Sequence, residues 1–264
     1  MNEITISSFS DLVEKLFDKS WDPEIKRFRS HYLFRGLSDE SYQLKTTLMR
    51  LGGNYPKMEK LLLRNFRKYA HRDVVPQDSI WNWLSIAEHH NLRTRLLDWT
   101  YSPFVAAHFA TCDLEKFNIN GAIWCVDFIE TNKLLPKKLK SLLKKENALQ
   151  LTAEILDKAV KSLYEFDALS RSVFVAFFEP PSLNDRIVNQ YALFSIMSNP
   201  KALLDDWLKK HQFLYRKIII PARLKWEIRD KLDKANITER VLFPGLDGLS
   251  SWLNRYYTPS DVIA

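Results

Sequence analysis

The segment from Ala87 to Thr100 carries an unusual concentration of reactive side chains. It reads AEHHNLRTRLLDWT and contains two histidines, two arginines, two threonines, a glutamate and an aspartate beside a short apolar run. A packed core rarely needs so many polar groups, because each must find a hydrogen-bond partner once it is buried. Histidines transfer protons near neutral pH and arginines bind phosphates, so the segment predicts a site for an anionic substrate.

Arg35 is a charged side chain inside the apolar run YLFRG at positions 32–36. A guanidinium there must be paired or must face a cavity, because an unpaired buried charge is very costly. One interpretation is a buried salt bridge, for instance to Asp98. The other is an anion clamp, since the planar donor fork of arginine matches a diphosphate. In that case Gly36 would let the phosphate approach the backbone closely.

The adjacent histidines His89 and His90 stand at the end of a predicted helix over residues 79–90. Two neighbouring side chains on a helix cannot both point into one site, so we expect His90, which is nearer the loop, to act on the incoming nucleophile as a general base. A histidine at a helix end often only caps carbonyl groups. Neither these histidines nor Cys112 and Cys125 have the spacing of a zinc site, so no metal is expected.

These motifs resemble the FRG domain family, named for its Phe-Arg-Gly motif, which stands here at positions 34–36. The resemblance continues through the segment 87–100 and through SPFVAAHFA at 102–110, with weaker echoes at 186–194 and 242–248. It covers roughly residues 25 to 255. It implies a role in bacterial conflict, as the toxic half of a toxin–antitoxin or phage-defence pair, with a cognate antitoxin protein as a partner.

The Arg-Gly strand also resembles the first motif of ADP-ribosyltransferases, in which the arginine grips NAD. In that superfamily a second strand carries Ser or Thr before a helix, as Thr100 does here, and a later strand brings the catalytic carboxylate. The resemblance implies NAD as the substrate and RNA or DNA as the acceptor of ADP-ribose. The site residues implied are Arg35, Gln190, Asp98 and His90 for catalysis, and Arg35, Gly36, Thr100 and Arg95 for binding NAD.

Gln190 departs from that pattern, because most enzymes of the superfamily carry glutamate at this position. A carboxylate offsets the positive charge that develops as nicotinamide leaves, and its loss costs a few kcal/mol of transition-state stabilisation. Either Asp98 or another acid (Glu179, Asp185 or Asp247) supplies the charge, or the fold has become a binding module. A third interpretation is a structural amide that satisfies backbone groups.

A basic stripe is predicted on the helix that begins near Pro56, opposite an apolar face made by Met58, Leu61, Leu62, Phe66 and Tyr69. The members of the stripe proposed for nucleic-acid binding are Lys57, Lys60, Arg64 and Lys68. The chain has a net charge of +7 and a pI near 9.2, which attracts polyanions, and Tyr69, Trp81 and Trp83 lie close in sequence as candidates for base stacking. Charged helix faces are more often merely solvated.

Two other functions stay open at this point. One is a non-enzymatic nucleic-acid-binding module. The other is a nuclease in which Asp98, Asp127, Glu130 and His90 hold Mg²⁺, although carboxylates alone are a weak signal.

The element pattern predicts an α+β fold, because strands and helices do not alternate regularly. The resemblance implies an ADP-ribosyltransferase-like split β-sheet core with flanking helices. We expect a single FRG-type domain over residues 1–264 with a lysine-rich helical insertion at 130–165. The start of the sequence has no basic-then-apolar signal and no apolar run approaches the length of a membrane span, so a cytoplasmic protein without membrane contact is expected. Strands are predicted at 31–36, 96–99, 122–128, 173–178, 191–196 and 213–220, and helices at 10–21, 56–69, 79–90, 102–112, 201–210, 222–234 and 249–257.

Overall fold

The computed structural model describes residues 2–70, 77–182 and 184–260. Helices flank a mixed β-sheet, which confirms the predicted α+β class. The strands are β1 (Glu3–Thr5), β2 (Trp21–Asp22), β3 (Arg27–Phe28), β4 (Tyr32–Leu37), β5 (Leu96–Thr100), β6 (Gly121–Asp127), β7 (Leu151–Thr152), β8 (Val175–Glu179), β9 (Ala192–Met197) and β10 (Tyr215–Ile220).

The α-helices pack around this sheet. They are α1 (Phe9–Phe17), α2 (Tyr55–Tyr69), α3 (Ile80–His89), α4 (Pro103–Thr111), α5 (Phe128–Asn132), α6 (Lys137–Lys145), α7 (Ala153–Ala159), α8 (Leu163–Asp167), α9 (Asp185–Asn189), α10 (Leu204–Lys209), α11 (Lys225–Lys234), α12 (Glu239–Leu242) and α13 (Leu246–Tyr256). Over the ranges just described, no helix is both long enough and apolar enough to cross a bilayer.

The main sheet has eight strands in the order β1-β10-β6-β4-β5-β9-β8-β7, and β2 and β3 form a separate hairpin. Only the outer pairs, β1 with β10 and β7 with β8, are parallel among these eight strands. β4 pairs with β6 along its whole length, from Tyr32 to Leu37. Its pairing with β5 is confined to Phe34 opposite Thr100. The sheet therefore opens between β4 and β5 on either side of that position.

Three clusters of buried side chains hold helices against the two faces of the sheet. Phe34 belongs to the cluster that packs α1, α4 and α11 on the β4 side of the opening. Phe194 belongs to the cluster that packs α3, α6 and α7 on the β9 side. Trp99 belongs to the third cluster, which covers the other face with α10. Because different helices cover the two halves of one face, a cleft can form between them above the opening.

The predicted helix starts at Ser79 and Ser102 are confirmed, because both side chains accept a hydrogen bond from a backbone amide in the first turn of α3 and α4. The prediction of a first helix reaching Trp21 was wrong. α1 is capped by Ser8 and ends at Phe17, because Lys19 adopts a left-handed backbone conformation that a helix cannot continue through.

The segment 130–165 is largely helical, as predicted, but it also contributes β7 to the edge of the main sheet. Its apolar side chains Leu139, Leu143 and Leu151 are buried together with Trp81 and Phe178. The lysines lie on the exposed side of α6, and the segment shares its core with the neighbouring elements.

Candidate functional site

A narrow cleft lies beside the opening between β4 and β5. Its volume is about 140 Å³. Five residues predicted from the sequence as parts of the site meet here, although they lie as far apart in the chain as β4 and the end of α9. They are Arg35, Gly36, Asp98, Thr100 and Gln190. The lining residues are Phe34, Arg35, Gly36, Asp98, Trp99, Thr100, Phe109, Arg186 and Gln190.

The Arg35 guanidinium spans the gap between the two strands. One terminal nitrogen donates a hydrogen bond to the backbone carbonyl of Asp98 and lies 3.9 Å from the Asp98 carboxylate. The Arg35 side chain is 19% exposed, whereas that of Asp98 is 61% exposed. Within the described residues, Arg35 Nε is buried without a hydrogen-bond partner. The arginine is therefore only partly satisfied by β5, and its partly exposed guanidinium lines the cleft, so it combines features of both interpretations of the sequence.

Gly36 has a structural role that differs from the predicted one. A Cβ atom added there would lie 1.9 Å from the carbonyl oxygen of Ala106 and 2.6 Å from the amide nitrogen of Ala110, both in α4. The space beside Gly36 is therefore filled by the α4 backbone. Glycine is required because the helix lies directly on the strand, and a close approach of phosphate to this backbone is not needed to explain it.

Thr100 and Gln190 face the cleft, but their side chains also hold the local backbone. The Thr100 hydroxyl donates to the Gln190 carbonyl at 2.7 Å and accepts from the Ser102 amide at 2.9 Å. The Gln190 amide nitrogen donates to the Leu242 carbonyl at 3.0 Å. Gln190 follows the last residue of α9, just before β9, so it stands at the entry of the strand. The geometry favours the structural interpretation of its amide.

Arg186 and Phe109 complete the lining of the cleft, although neither was predicted as a site residue. Arg186 lies on α9 with its guanidinium 4.9 Å from the centre of the Phe243 ring. A second arginine beside Arg35 makes the cleft suited to an anion with more than one charged oxygen. The polar run before the predicted strand at 191–196 was the available signal for Arg186, but nothing local showed that α9 would face β4.

Glu88 is a partly buried acid near this cleft. Burial, together with repulsion from Asp98, raises its pKa to about 8, although the Thr94 hydroxyl donates to it and Arg35 lies near. The carboxyl group of Glu88 is therefore held toward its protonated form. Asp98 is the carboxylate among the described residues that line the cleft.

The histidines do not lie where the sequence predicted. His90 caps α3, is exposed and does not line the cleft. His89 is more buried, and its Nε2 accepts a hydrogen bond of 2.6 Å from the Asn184 side-chain amide. Burial lowers the pKa of His89, and the positive charge of Arg186 adds to this effect. His89 is therefore neutral and holds the loop before α9, and the structure does not bring the predicted base His90 to Arg35.

Arg95 lies outside the cleft and is bound to two acids. Its guanidinium donates to both carboxylate oxygens of Glu59 and, at 2.6 Å, to Asp167. Arg95 and Glu59 are both 5% exposed. All its charge is therefore used in a buried network between α2 and α8, and the expected contact of Arg95 with NAD is not seen in this geometry.

The predicted basic stripe lies on α2 and is exposed, as expected for Lys57, Lys60, Arg64 and Lys68. The apolar face predicted opposite it was wrong, because Met58, Leu61 and Tyr69 are exposed while Glu59 and Leu63 are buried. The candidate stacking rings of Trp81 and Trp83 are also buried, in the core beneath α3. They are not accessible to a base.

The acids of the predicted Mg²⁺ site serve other purposes. Asp127 caps α5 by accepting from the Glu130 amide, and the Glu130 carboxylate pairs with Lys133. Across residues 2–70, 77–182 and 184–260, no three His, Cys, Asp or Glu side chains are grouped as metal ligands. The geometry thus gives no support to the nuclease interpretation.

Comparison with known proteins identifies one family. No curated protein and no solved structure matches this chain. The model of the FRG domain matches residues 30–119, a range that includes Arg35, Gly36, Asp98 and Thr100 of the cleft. Residues 30–119 of this chain are therefore similar to the FRG domain, and Arg186 and Gln190 complete the cleft from beyond the matched range.

Proposed function

We propose that this protein is an ADP-ribosyltransferase that uses NAD to modify a nucleic acid. The observation that carries the proposal is the meeting of Arg35, Thr100 and Gln190 in one cleft. Arg35 lies on β4, Thr100 on the neighbouring β5, and Gln190 just before β9, the next strand of the sheet. The resemblance to ADP-ribosyltransferases predicts that an arginine, a hydroxyl side chain and a residue associated with a later strand meet in one site. The opening of the sheet between β4 and β5 supplies the space.

Arg35 and Arg186 bind the diphosphate of NAD in this proposal. Arg35 and Arg186 both line the cleft, the Arg35 side chain is partly exposed, and charge-assisted bonds to phosphate oxygens are among the stronger hydrogen bonds in proteins. The cleft volume of about 140 Å³ is below the roughly 300 Å³ of the smallest typical ligand sites. The diphosphate and an adjoining ribose occupy the cleft, and the rest of NAD extends over its rim.

Asp98 supplies the negative charge that Gln190 lacks. The reaction breaks the bond between nicotinamide and C1′ of the ribose, and the acceptor forms a new bond to C1′ as it loses a proton. Nicotinamide leaves as a neutral molecule, and positive charge develops on the ribose during this step. The largely exposed Asp98 carboxylate stabilises that charge, while Thr100 and Gln190 hold the shape of the ribose pocket.

A non-enzymatic nucleic-acid-binding module is the second candidate. The Thr100 hydroxyl and the Gln190 amide both donate hydrogen bonds to backbone carbonyls, and this favours the second candidate. These bonds give both side chains a structural role, so their presence in the cleft does not require a substrate. In that case Arg35 and Arg186 would hold a phosphate of the nucleic acid itself.

The FRG resemblance suggests the biological setting. We propose that the protein is toxic to a bacterial host and acts in a toxin–antitoxin or phage-defence system, with an antitoxin protein that neutralises it. Expression of wild type and Arg35→Ala in a bacterial host, with viable counts as the readout, tests this setting separately from the chemistry.

The chemistry is tested by incubating the purified protein with NAD labelled in the adenosine half, in the presence of total RNA, DNA or protein. We expect nicotinamide release and transfer of label to RNA or DNA. Arg35→Ala and Asp98→Asn should each lose at least 90% of the release. Matched controls are the exposed residues Arg223→Ala and Asp206→Asn, which should behave as wild type.

Two results would contradict the enzyme. Absence of nicotinamide release with every acceptor, in a protein that still binds nucleic acid, would leave the binding module. Label on protein alone would retain the transferase and replace the nucleic-acid acceptor.

A further inference from the structure

A second and larger cavity lies between α2, α3 and α8, away from the Arg35 cleft. Its volume is about 610 Å³, within the range of sites that hold organic ligands. Six residues of α2 from Pro56 to Arg67 line one side at helical spacing, so the groove runs for about 17 Å along that helix. Ser162 and Leu163 line the opposite side.

The floor of the groove is a built ionic network. Arg95 neutralises the buried Glu59 and holds Asp167, whose pKa burial raises. Removing any one of these charges would leave another unpaired. Because its acids are paired with Arg95, the floor does not strongly repel an anion. The groove as a whole is lined by four cationic and two acidic side chains, so its balance of charge is positive.

The rim and walls differ in chemistry. Lys60 and Arg64 are exposed one helical turn apart on α2, and no ion pair of either residue occurs in the described part of the chain. The walls are apolar, with Leu63 and Leu163. Tyr164 borders the groove with 83% of its surface exposed, so packing does not explain this aromatic ring. Cations beside an exposed ring and apolar walls are the features that bind a strand of bases and phosphates.

We propose that this groove binds single-stranded nucleic acid, with a base against Tyr164 and Leu163 and phosphates at Lys60 and Arg64. The inference rests on the proposed function in one respect, because the bound strand would be the acceptor of ADP-ribose. An acidic peptide would also meet the cations, but it would not need an exposed tyrosine ring beside an apolar wall. The groove thus replaces Trp81 and Trp83 as the place where bases stack.

The test measures fluorescence anisotropy of a labelled 15-nucleotide single-stranded RNA with the full chain and without NAD. We expect Tyr164→Ala to weaken binding about tenfold. Arg64→Glu should weaken binding and flatten its dependence on salt, because fewer counterions are released. The controls are Tyr257→Ala, another exposed tyrosine, and Lys138→Glu, the same reversal of charge on α6. Both controls should bind as wild type, and melting curves should show that all four variants are folded.

The proposal is overturned if Lys138→Glu weakens binding as much as Arg64→Glu, since the attraction would then be general. It is also overturned if a duplex, free AMP or an acidic peptide binds as tightly as the single strand. Binding is measured without NAD and nicotinamide release in a separate assay, so the two proposals fail separately. A wild-type protein that releases nicotinamide but does not bind the RNA, or that binds it as tightly after Tyr164→Ala, rejects the groove alone. Groove-dependent binding without nicotinamide release rejects the transferase alone.

Discussion

The Arg35 side chain donates a hydrogen bond to the backbone carbonyl of Asp98 across the opening between β4 and β5. If the register set by Phe34 and Thr100 continued, Gly36 would stand opposite Asp98 and a backbone amide would serve this carbonyl. The guanidinium takes that place and keeps the strands apart. Arg35 is therefore part of the architecture of the cleft as well as a candidate ligand-binding group.

The amide of Gln190 is the first group whose role can be decided by substitution. Gln190→Glu should lower the free energy of unfolding by about 1–3 kcal/mol, because a carboxylate cannot donate to the buried Leu242 carbonyl. Urea unfolding measures this loss. Asn189→Asp is the matched control, since Asn189 donates to the Val241 carbonyl in an exposed setting and should cost less. A stable Gln190→Glu variant with faster nicotinamide release would show instead that the position is catalytic.

Glu88 predicts a dependence of stability on pH. Its pKa is about 8 in the folded protein against an ordinary value of 4.5, so between these values the folded state binds more protons than the unfolded chain. The stability contributed by Glu88 is present below about pH 4.5 and is lost as the pH rises to about 8. In Glu88→Gln, which keeps an acceptor for Thr94, unfolding free energy should fall less between pH 5 and pH 8 than in wild type.

Denaturant unfolding at pH 5, 6, 7 and 8 measures this difference. Glu154→Gln, at an exposed position on α7, controls for the loss of a carboxylate and should follow the wild-type profile. Identical pH profiles for wild type and Glu88→Gln would mean that Glu88 is ionised in the folded protein.

Gly36→Ala should destabilise the protein by about 1–3 kcal/mol or more, because its Cβ meets the backbone of α4 and the helix must move. Thermal and urea unfolding check this. Gly53→Asn is the control, because Gly53 has open space around it and its positive φ of 56° is one that asparagine adopts more readily than most residues. A Gly36→Ala variant of normal stability that no longer binds an anionic ligand would restore the predicted role of Gly36 in phosphate binding.

A buried ionic network joins α11, α12 and α13. Arg255 is 3% exposed and bonds both Asp233 and Glu239 at 2.7 Å. Arg255→Ala should cost about 3–5 kcal/mol, because it leaves the buried Glu239 carboxylate without its ion-pair partner, whereas Asp233 keeps Arg229. Arg240→Ala is the control: this exposed residue stacks on Trp252 and should cost no more than about 1 kcal/mol. Equal losses of unfolding free energy in the two variants would contradict the network's importance.

Local sequence was sufficient where local physics decides the structure. Ser79 and Ser102 cap their helices because a side-chain oxygen needs only the amides of the next turn. The strand around Arg35 was likewise predicted, since an apolar run of this length pairs with neighbours in almost any sheet. The composition of residues 87–100 pointed to a site, and Asp98 and Thr100 do line one.

Tertiary structure alone decided which groups meet. Periodicity on α2 predicted the wrong buried face, because Glu59 is buried only by virtue of Arg95, which lies 36 positions away in sequence. Likewise, the space available to a side chain at position 36 depends on where α4 packs. The hydrogen-bond partner of the Gln190 amide is Leu242, which α12 places beside it. Sequence specified the chemistry of the side chains and their local geometry, whereas burial and long-range pairing determined which of them remain available to a ligand.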